Sequence, residues 1–166
     1  MMKNSLIVLD LDGLLIYRLP NKNYIVRPGL DEFISFCLFL GDIAFFSSML
    51  RKNIIDILIT LFSPYVRKKI KYIWDRNYTD VDPEKINEWD TIKSYDKVQK
   101  LTNYMYKKII MCDDDYRKLR FNPIDSYIIV QPFKGEKNDD HLQKLKEKII
   151  KKYNEQFGKE HQNINR

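Results

Sequence analysis

The stretch VLDLDGLL, residues 8–15, places Asp10 and Asp12 one residue apart at the end of an apolar run and follows them with Gly13. Buried strands rarely close on accumulated negative charge, so these carboxylates ask for a chemical purpose. Three further features belong with them: Ser47 at the end of a second apolar run, Lys93 ahead of a third, and the triple carboxylate Asp113, Asp114 and Asp115 that closes this third run. Several carboxylates in one cleft repel one another, and burial makes their ionisation costlier, unless a cation neutralises them. A metal is therefore implied, and an oxygen-only donor set suits Mg²⁺ better than zinc. A carboxylate beside Mg²⁺ is a workable nucleophile toward phosphorus. A second one two residues on can give a proton to the leaving oxygen and later take one from water. The hydroxyl of Ser47 and the ammonium of Lys93 are suited to hold non-bridging phosphate oxygens.

Each piece has a plainer explanation when taken alone. A DxDG is often only a turn, a DDD a helix cap, a strand-end serine unremarked, and a lysine a solvated charge. Their order and their shared position at strand ends are what point to phosphoryl transfer. His141 and His161 lie in the C-terminal helical region and its tail, away from these segments, and are not expected to act as ligands or catalysts.

The elements that must position these groups alternate along the chain. Residues 5–11 read as a buried strand, and residues 27–40 open on Arg27-Pro28-Gly29 and then repeat apolar residues at helical spacing. Residues 42–48 form a second strand, 51–62 a second amphipathic helix and 68–76 a third strand. Residues 79–90 are loop-like and 94–106 suggest a helix. Residues 107–115 and 126–133 are the fourth and fifth strands, residues 139–157 a last helix, and 158–166 a frayed tail. This alternation predicts an α/β fold, mainly a parallel sheet with helices on both faces, in one domain over residues 1–157. In such sheets ligands sit at the carboxyl ends of the strands. Asp10, Asp12, Ser47 and the three consecutive aspartates all fall there, with Lys93 close by.

Bulk composition narrows the partners. No apolar stretch reaches the roughly 20 residues of a membrane span, and the N-terminus lacks the pattern of a secretory signal, so an intracellular location is expected, nucleus and cytoplasm being equally open. Cys37 and Cys112 both sit in apolar runs and read as reduced core residues. The net charge of +6 favours an anionic partner, a phosphorylated protein or a nucleic acid. Basic runs with interleaved tyrosines, such as KLKEKIIKKY, are explained by helix periodicity as solvated faces.

At these residues the chain resembles the haloacid dehalogenase superfamily and, more narrowly, the FCP/SCP-type phosphatases, also called NLI-interacting-factor-like or C-terminal-domain phosphatases. VLDLDGLL is similar to the family's DLDxTL opening, RPGLDEF to its RPG helix start, and FFSSM to its FTAS. IKSYDKV resembles the lysine segment, and KKIIMCDDDYRKLRFNP the DDSPxKxxxNP region. The resemblance implies a Rossmann-like core with minimal or no cap. It implies Asp10 as nucleophile and Asp12 as general acid/base. Asp10, the main-chain carbonyl of Asp12, and Asp114 would hold Mg²⁺; Asp113 would orient Lys93, and Ser47 and Lys93 would bind phosphate. Lys97 or Lys85 can be slid into the place of Lys93 by moving a gap. The implied activity is hydrolysis of phosphoserine or phosphothreonine in proteins through an aspartyl-phosphate, with the RNA polymerase II C-terminal tail as leading substrate class. A polynucleotide 3′-phosphatase and an inactive phosphoprotein-binding relative are the rivals. The family's threonine is Leu14 here, and its serine and proline are Asp115 and Tyr116.

Overall fold

The computed structural model describes residues 4–157; the expected tail, with His161, lies outside the described residues. Along the chain run β1 (Leu6–Leu9), β2 (Ile16–Arg18), β3 (Tyr24–Val26), α1 (Leu30–Leu40), β4 (Asp42–Phe46), α2 (Arg51–Leu61), α3 (Pro64–Arg67) and β5 (Ile70–Trp74). They are followed by β6 (Asp80–Val81), β7 (Thr91–Ile92), α4 (Tyr95–Lys100), β8 (Ile109–Asp113), α5 (Tyr116–Leu119), β9 (Tyr127–Ile129) and α6 (His141–Phe157). Five strands form the central sheet in the order β5-β4-β1-β8-β9, all parallel.

Strand geometry sends successive side chains to opposite faces, and β1 does this with every residue buried. Ile7 and Leu9 join Phe33 and Cys37 of α1, Ile54 and Leu58 of α2, and Leu142, Leu145 and Ile149 of α6 in one core. Leu6 and Val8 join Trp74, Val98 of α4 and Leu119 of α5 in the other. Helices therefore cover both faces, as a parallel sheet requires. The α6 residues recur three and four apart, the spacing that makes one apolar stripe on a helix. Cys37 and Cys112 are free and buried, as the apolar runs around them predict.

Three segments differ from the sequence expectation. The polar connection after β1 contains a hairpin in which Ile16 pairs with Val26 and Arg18 with Tyr24. Its tip turns through Asn21 and Lys22, both at φ +62°. The expected helix 94–106 stops at Lys100. Beyond it Tyr104 turns aside to bond Asp42, and the Tyr95 hydroxyl accepts the N–H of Lys107, where φ is +69°. Aromatic anchoring wins there over weak helix periodicity. The loop-like 79–90 carries one strand, β6, which pairs antiparallel with β7.

Sheet order reverses between β1 and β8, because the chain first builds outward through β4 and β5 and then returns to the other side of β1 for β8 and β9. A crevice opens at the carboxyl ends of strands at such a point.

Candidate active site

Asp10 follows directly on β1, with its N–H donating to the Cys112 carbonyl of β8 at 3.1 Å. Its carboxylate is 6 % exposed and accepts from Lys93 Nζ at 2.9 Å. The same ammonium donates to Asp113 Oδ2 at 2.5 Å and to the Phe46 carbonyl at 2.7 Å, so its three protons are all placed. Lys93 is fixed from both sides of its backbone. Its N–H donates to the Lys118 carbonyl at 2.8 Å, and its carbonyl accepts from Asn122 Nδ2 at 2.8 Å. Burial alone favours a neutral amine here, but the Asp10 and Asp113 carboxylates outweigh it and hold the Lys93 pKa above its ordinary value. The alternatives Lys97 and Lys85 stand elsewhere: Lys97 pairs with Asp80 at 2.5 Å, and Lys85 is exposed.

One ammonium faces three carboxylates. Burial, reinforced by Asp113 and opposed by Lys93, pushes Asp10 up to about 6. Burial and the neighbouring Asp10 and Asp113 charges push Asp114 up to about 8. Asp10, Asp113 and Asp114 each bring a carboxylate oxygen within 4.8 Å of the others, a donor set that fits a hard divalent cation. Asp113 is the most committed of the three, since Oδ2 is on Lys93 and Oδ1 accepts the Asp115 N–H at 2.9 Å. Asp10 and Asp114 both line the cavity.

Asp114 can approach only because residue 13 has no side chain. A Cβ on Gly13 would lie 2.2 Å from Asp114 Oδ2, and Gly13 sits at φ +86°. The turn that carries it is tied down by Arg27, which is 1 % exposed. Arg27 donates to the carbonyls of Leu14 at 3.0 Å and Gln131 at 2.7 Å, and grips Asp139 with two bonds of 2.7 and 2.9 Å. Burial would raise the Asp139 pKa; the Arg27 bonds and the His141 N–H lower it overall. Leu14 is wholly buried in the core and is absent from the cavity lining.

A cavity of about 450 Å³ opens over these groups, lined by Asp10, Asp12, Ser47 and Asp114, with Arg18, Arg76 and Lys118 among its cations. Asp12 points into it from a half-open position and is paired with Arg18, whose Nε donates to Oδ2 at 2.8 Å. Ser47 is 2 % exposed and its Oγ accepts the Met49 N–H at 3.2 Å. Lys93 is not on the wall; it reaches Asp10 from behind. Asp115 caps α5 by accepting the Arg117 N–H at 2.9 Å. His141 stands at the start of α6, outside the cavity lining. The fold thus brings Asp10, Asp12, Ser47, Asp113 and Asp114 to one crevice, with Lys93 beneath.

Sequence reasoning missed Arg18, Arg76 and the Arg27–Asp139 clamp. Arg27 carried a signal: an arginine flanked by apolar residues and followed by Pro-Gly has few reasons to be there except a buried partner. Asp139, one of two aspartates before α6, gave none beyond a helix cap.

Comparison with solved structures agrees with this architecture. A protein of uncharacterised function from Listeria monocytogenes serotype 4b superposes with a TM-score of 0.61 at 11% identity, over 90% of this chain and 98% of that one. The fission yeast RNA polymerase II CTD phosphatase Fcp1 bound to beryllium fluoride gives 0.57 at 13% identity over 98% of this chain. A second structure of Fcp1, an essential RNA polymerase II CTD phosphatase, gives 0.58 at 15% over 98%. This chain spans about half of each, 55% and 53% respectively. At such identities these likenesses establish the fold alone, a parallel sheet with helices on both faces. No curated protein sequence matches the chain. The family model described as NLI interacting factor-like phosphatase matches residues 5–159, nearly the whole length, and the chain therefore belongs to the NLI interacting factor-like phosphatase family.

Proposed function

We propose that this phosphatase is Mg²⁺-dependent, that residues 1–157 work as one uncapped domain, and that its substrates are phosphoserine or phosphothreonine in proteins. The observation that carries the proposal is the group of three carboxylates, Asp10, Asp113 and Asp114, gathered at the β1–β8 crevice with a single ammonium among them. Asp10, Asp114 and the Asp12 main-chain carbonyl would hold the metal, and Asp113 holds Lys93. When bound, the metal would supply positive charge that offsets that of the phosphate oxygens and favours the ionised form of Asp10. An Asp10 oxygen forms a bond to phosphorus as the bond to the seryl or threonyl oxygen breaks, and Asp12 delivers a proton to that oxygen. Water then attacks the aspartyl-phosphate, gives its proton to Asp12, and releases inorganic phosphate and the Asp10 carboxylate. Ser47 donates its hydroxyl proton to a phosphate oxygen, and Lys93 gives up one of its three acceptors for another.

The leading substrate class is an extended phosphorylated polypeptide such as the RNA polymerase II tail, the structurally similar Fcp1 being an RNA polymerase II CTD phosphatase. The open cavity supports a macromolecular substrate. The cations around it, Arg18, Arg76 and Lys118, suit a polynucleotide 3′-phosphate as well, and this is the second reading. Leu14 is wholly buried and is not among the residues lining the cavity, so it does not itself obstruct the site. Phosphopeptides and 3′-phosphorylated oligonucleotides offered side by side test the choice. Preference for the peptides with Mg²⁺, lost in Asp10→Asn, is the expected result; preference for the oligonucleotide overturns the substrate assignment.

A further inference from the structure

The carboxylates of the crevice are not held alike. The side chains of Asp10 and Asp113 are 8 % and 2 % exposed and share the Lys93 ammonium, whereas that of Asp12 is 34 % exposed. Among the described residues, the Asp12 carboxylate takes hydrogen bonds from one residue alone. Arg18 donates from Nε to Oδ2 at 2.8 Å and from its main-chain N–H to Oδ1 at 3.3 Å, so both oxygens are tied to the same neighbour.

The turn after β1 brings that neighbour back. The N–H groups of Leu15 and Ile16 donate to the Leu11 carbonyl at 2.8 and 3.1 Å, and Gly13 N–H donates to the Ile16 carbonyl at 2.7 Å. The chain thus doubles over, and Arg18 at the end of β2 stands against Asp12. Across the hairpin Arg18 is paired with Tyr24 of β3, whose hydroxyl bonds that of Thr60 in α2. A cavity of about 240 Å³ lies between this end of the hairpin and α2, with Arg18, Tyr24 and Thr60 in its lining. The hydroxyl contact moors the hairpin beside that gap.

A half-exposed ion pair adds little to stability, so the value of this one lies in what it does to Asp12. A carboxylate free to turn among staggered rotamers is often out of line with the reacting oxygen, and a misplacement of about 1 Å can cost about 10²-fold in rate. Each carboxylate oxygen has two lone pairs. The two Arg18 bonds therefore fix the group and still leave it room to carry a proton.

Resting on the acid/base role of Asp12 proposed above, and not on which phosphomonoester is the substrate, we infer that Arg18 is a positioning residue for the reaction. From the β2–β3 hairpin it holds the Asp12 carboxylate at the angle from which a proton passes to the leaving oxygen and is later taken from water. Arg18 keeps all its own protons throughout.

The test compares kcat/KM, which reports the steps up to departure of the leaving group, for two esters. The p-nitrophenolate of p-nitrophenyl phosphate departs with little help from a proton; the phenolate of phenyl phosphate needs one. Arg18→Ala should lower kcat/KM about threefold for the first and about thirtyfold for the second, with the thermal unfolding midpoint almost unmoved. In an Asp12→Asn background the same change should alter neither value by more than about twofold, because residues that act as a unit are not additive. Equal losses on the two esters, the mark of a guanidinium that touches the phosphate directly, overturn the inference. So does no loss, or a further tenfold loss in the Asp12→Asn background. Asp12→Asn alone tests the underlying role: if it lowers both esters in the same proportion, the acid/base reading falls and this inference falls with it.

Discussion

Gly13→Ala is a one-carbon change whose effect the geometry fixes. The added Cβ would stand 2.2 Å from Asp114 Oδ2, 2.5 Å from its Cγ and 2.8 Å from Oδ1. Carbon and oxygen in ordinary contact need about 3.5 Å, so the carboxylate must retreat by roughly 1 Å. Position 13 also sits at φ +86°, where an L side chain costs about 1–2 kcal/mol. The two effects separate in assay. Backbone strain shows as a fall in Tm of roughly 3–8 °C for a domain of this size, read by thermal unfolding without metal. Displacement of Asp114 shows as a weaker Mg²⁺ requirement curve: the half-saturating Mg²⁺ for aryl phosphate hydrolysis should rise at least about tenfold, and the saturated rate fall about 10²-fold. A Gly13→Ala protein that folds with an unchanged Mg²⁺ curve would refute the placement of Asp114 as a ligand, because the clash falls on that carboxylate.

Asp10→Asn should lower hydrolysis by at least about 10³-fold while leaving the urea midpoint at pH 8 undiminished, since it removes one of three crowded carboxylates; retained turnover would dismiss Asp10 as nucleophile. Arg27→Met strands Asp139 among apolar groups, and breaking a buried pair costs about 3–5 kcal/mol, whereas Arg18→Ala breaks a half-exposed one worth about 0–1 kcal/mol; thermal unfolding should show a large loss for the first and almost none for the second. Without metal, stability should fall as pH rises. Asp10 near 6 and Asp114 near 8 keep protons that an unfolded carboxyl, near pH 4, has already released, so their contribution is full below about pH 4 and is lost between there and about pH 8. Saturating Mg²⁺ should flatten that slope, and urea midpoints that are level with pH in the metal-free protein would contradict the crowding of these groups.

The sheet and the acidic crevice were legible because they rest on strong local signals. Apolar runs such as LIVL and IIMC admit few alternatives, and carboxylates closing two of them must meet if the strands are neighbours. The spacing over 94–106 predicts too long a helix because Tyr104 and Tyr106 extend its apolar pattern, while in the fold Tyr104 bonds Asp42 from a distant strand. The hairpin tip escaped notice because its two left-handed residues are Asn21 and Lys22, without the glycine that signals such turns. Arg18 went unremarked for the same reason, since its pairing with Asp12 exists only once that hairpin folds back. Long-range pairs such as Arg27 with Asp139 leave no trace in spacing at all.

The central position of β1 has a consequence for the newly made chain. Leu6 lies between Asp42 and Ile109, so the strand that carries Asp10 gains its second neighbour only once synthesis has passed residue 109. Until then Asp10 has neither Lys93 beneath it nor Asp114 beside it. A ribosome-bound fragment stopped before residue 109 therefore lacks the paired strand that assembles the acidic cluster.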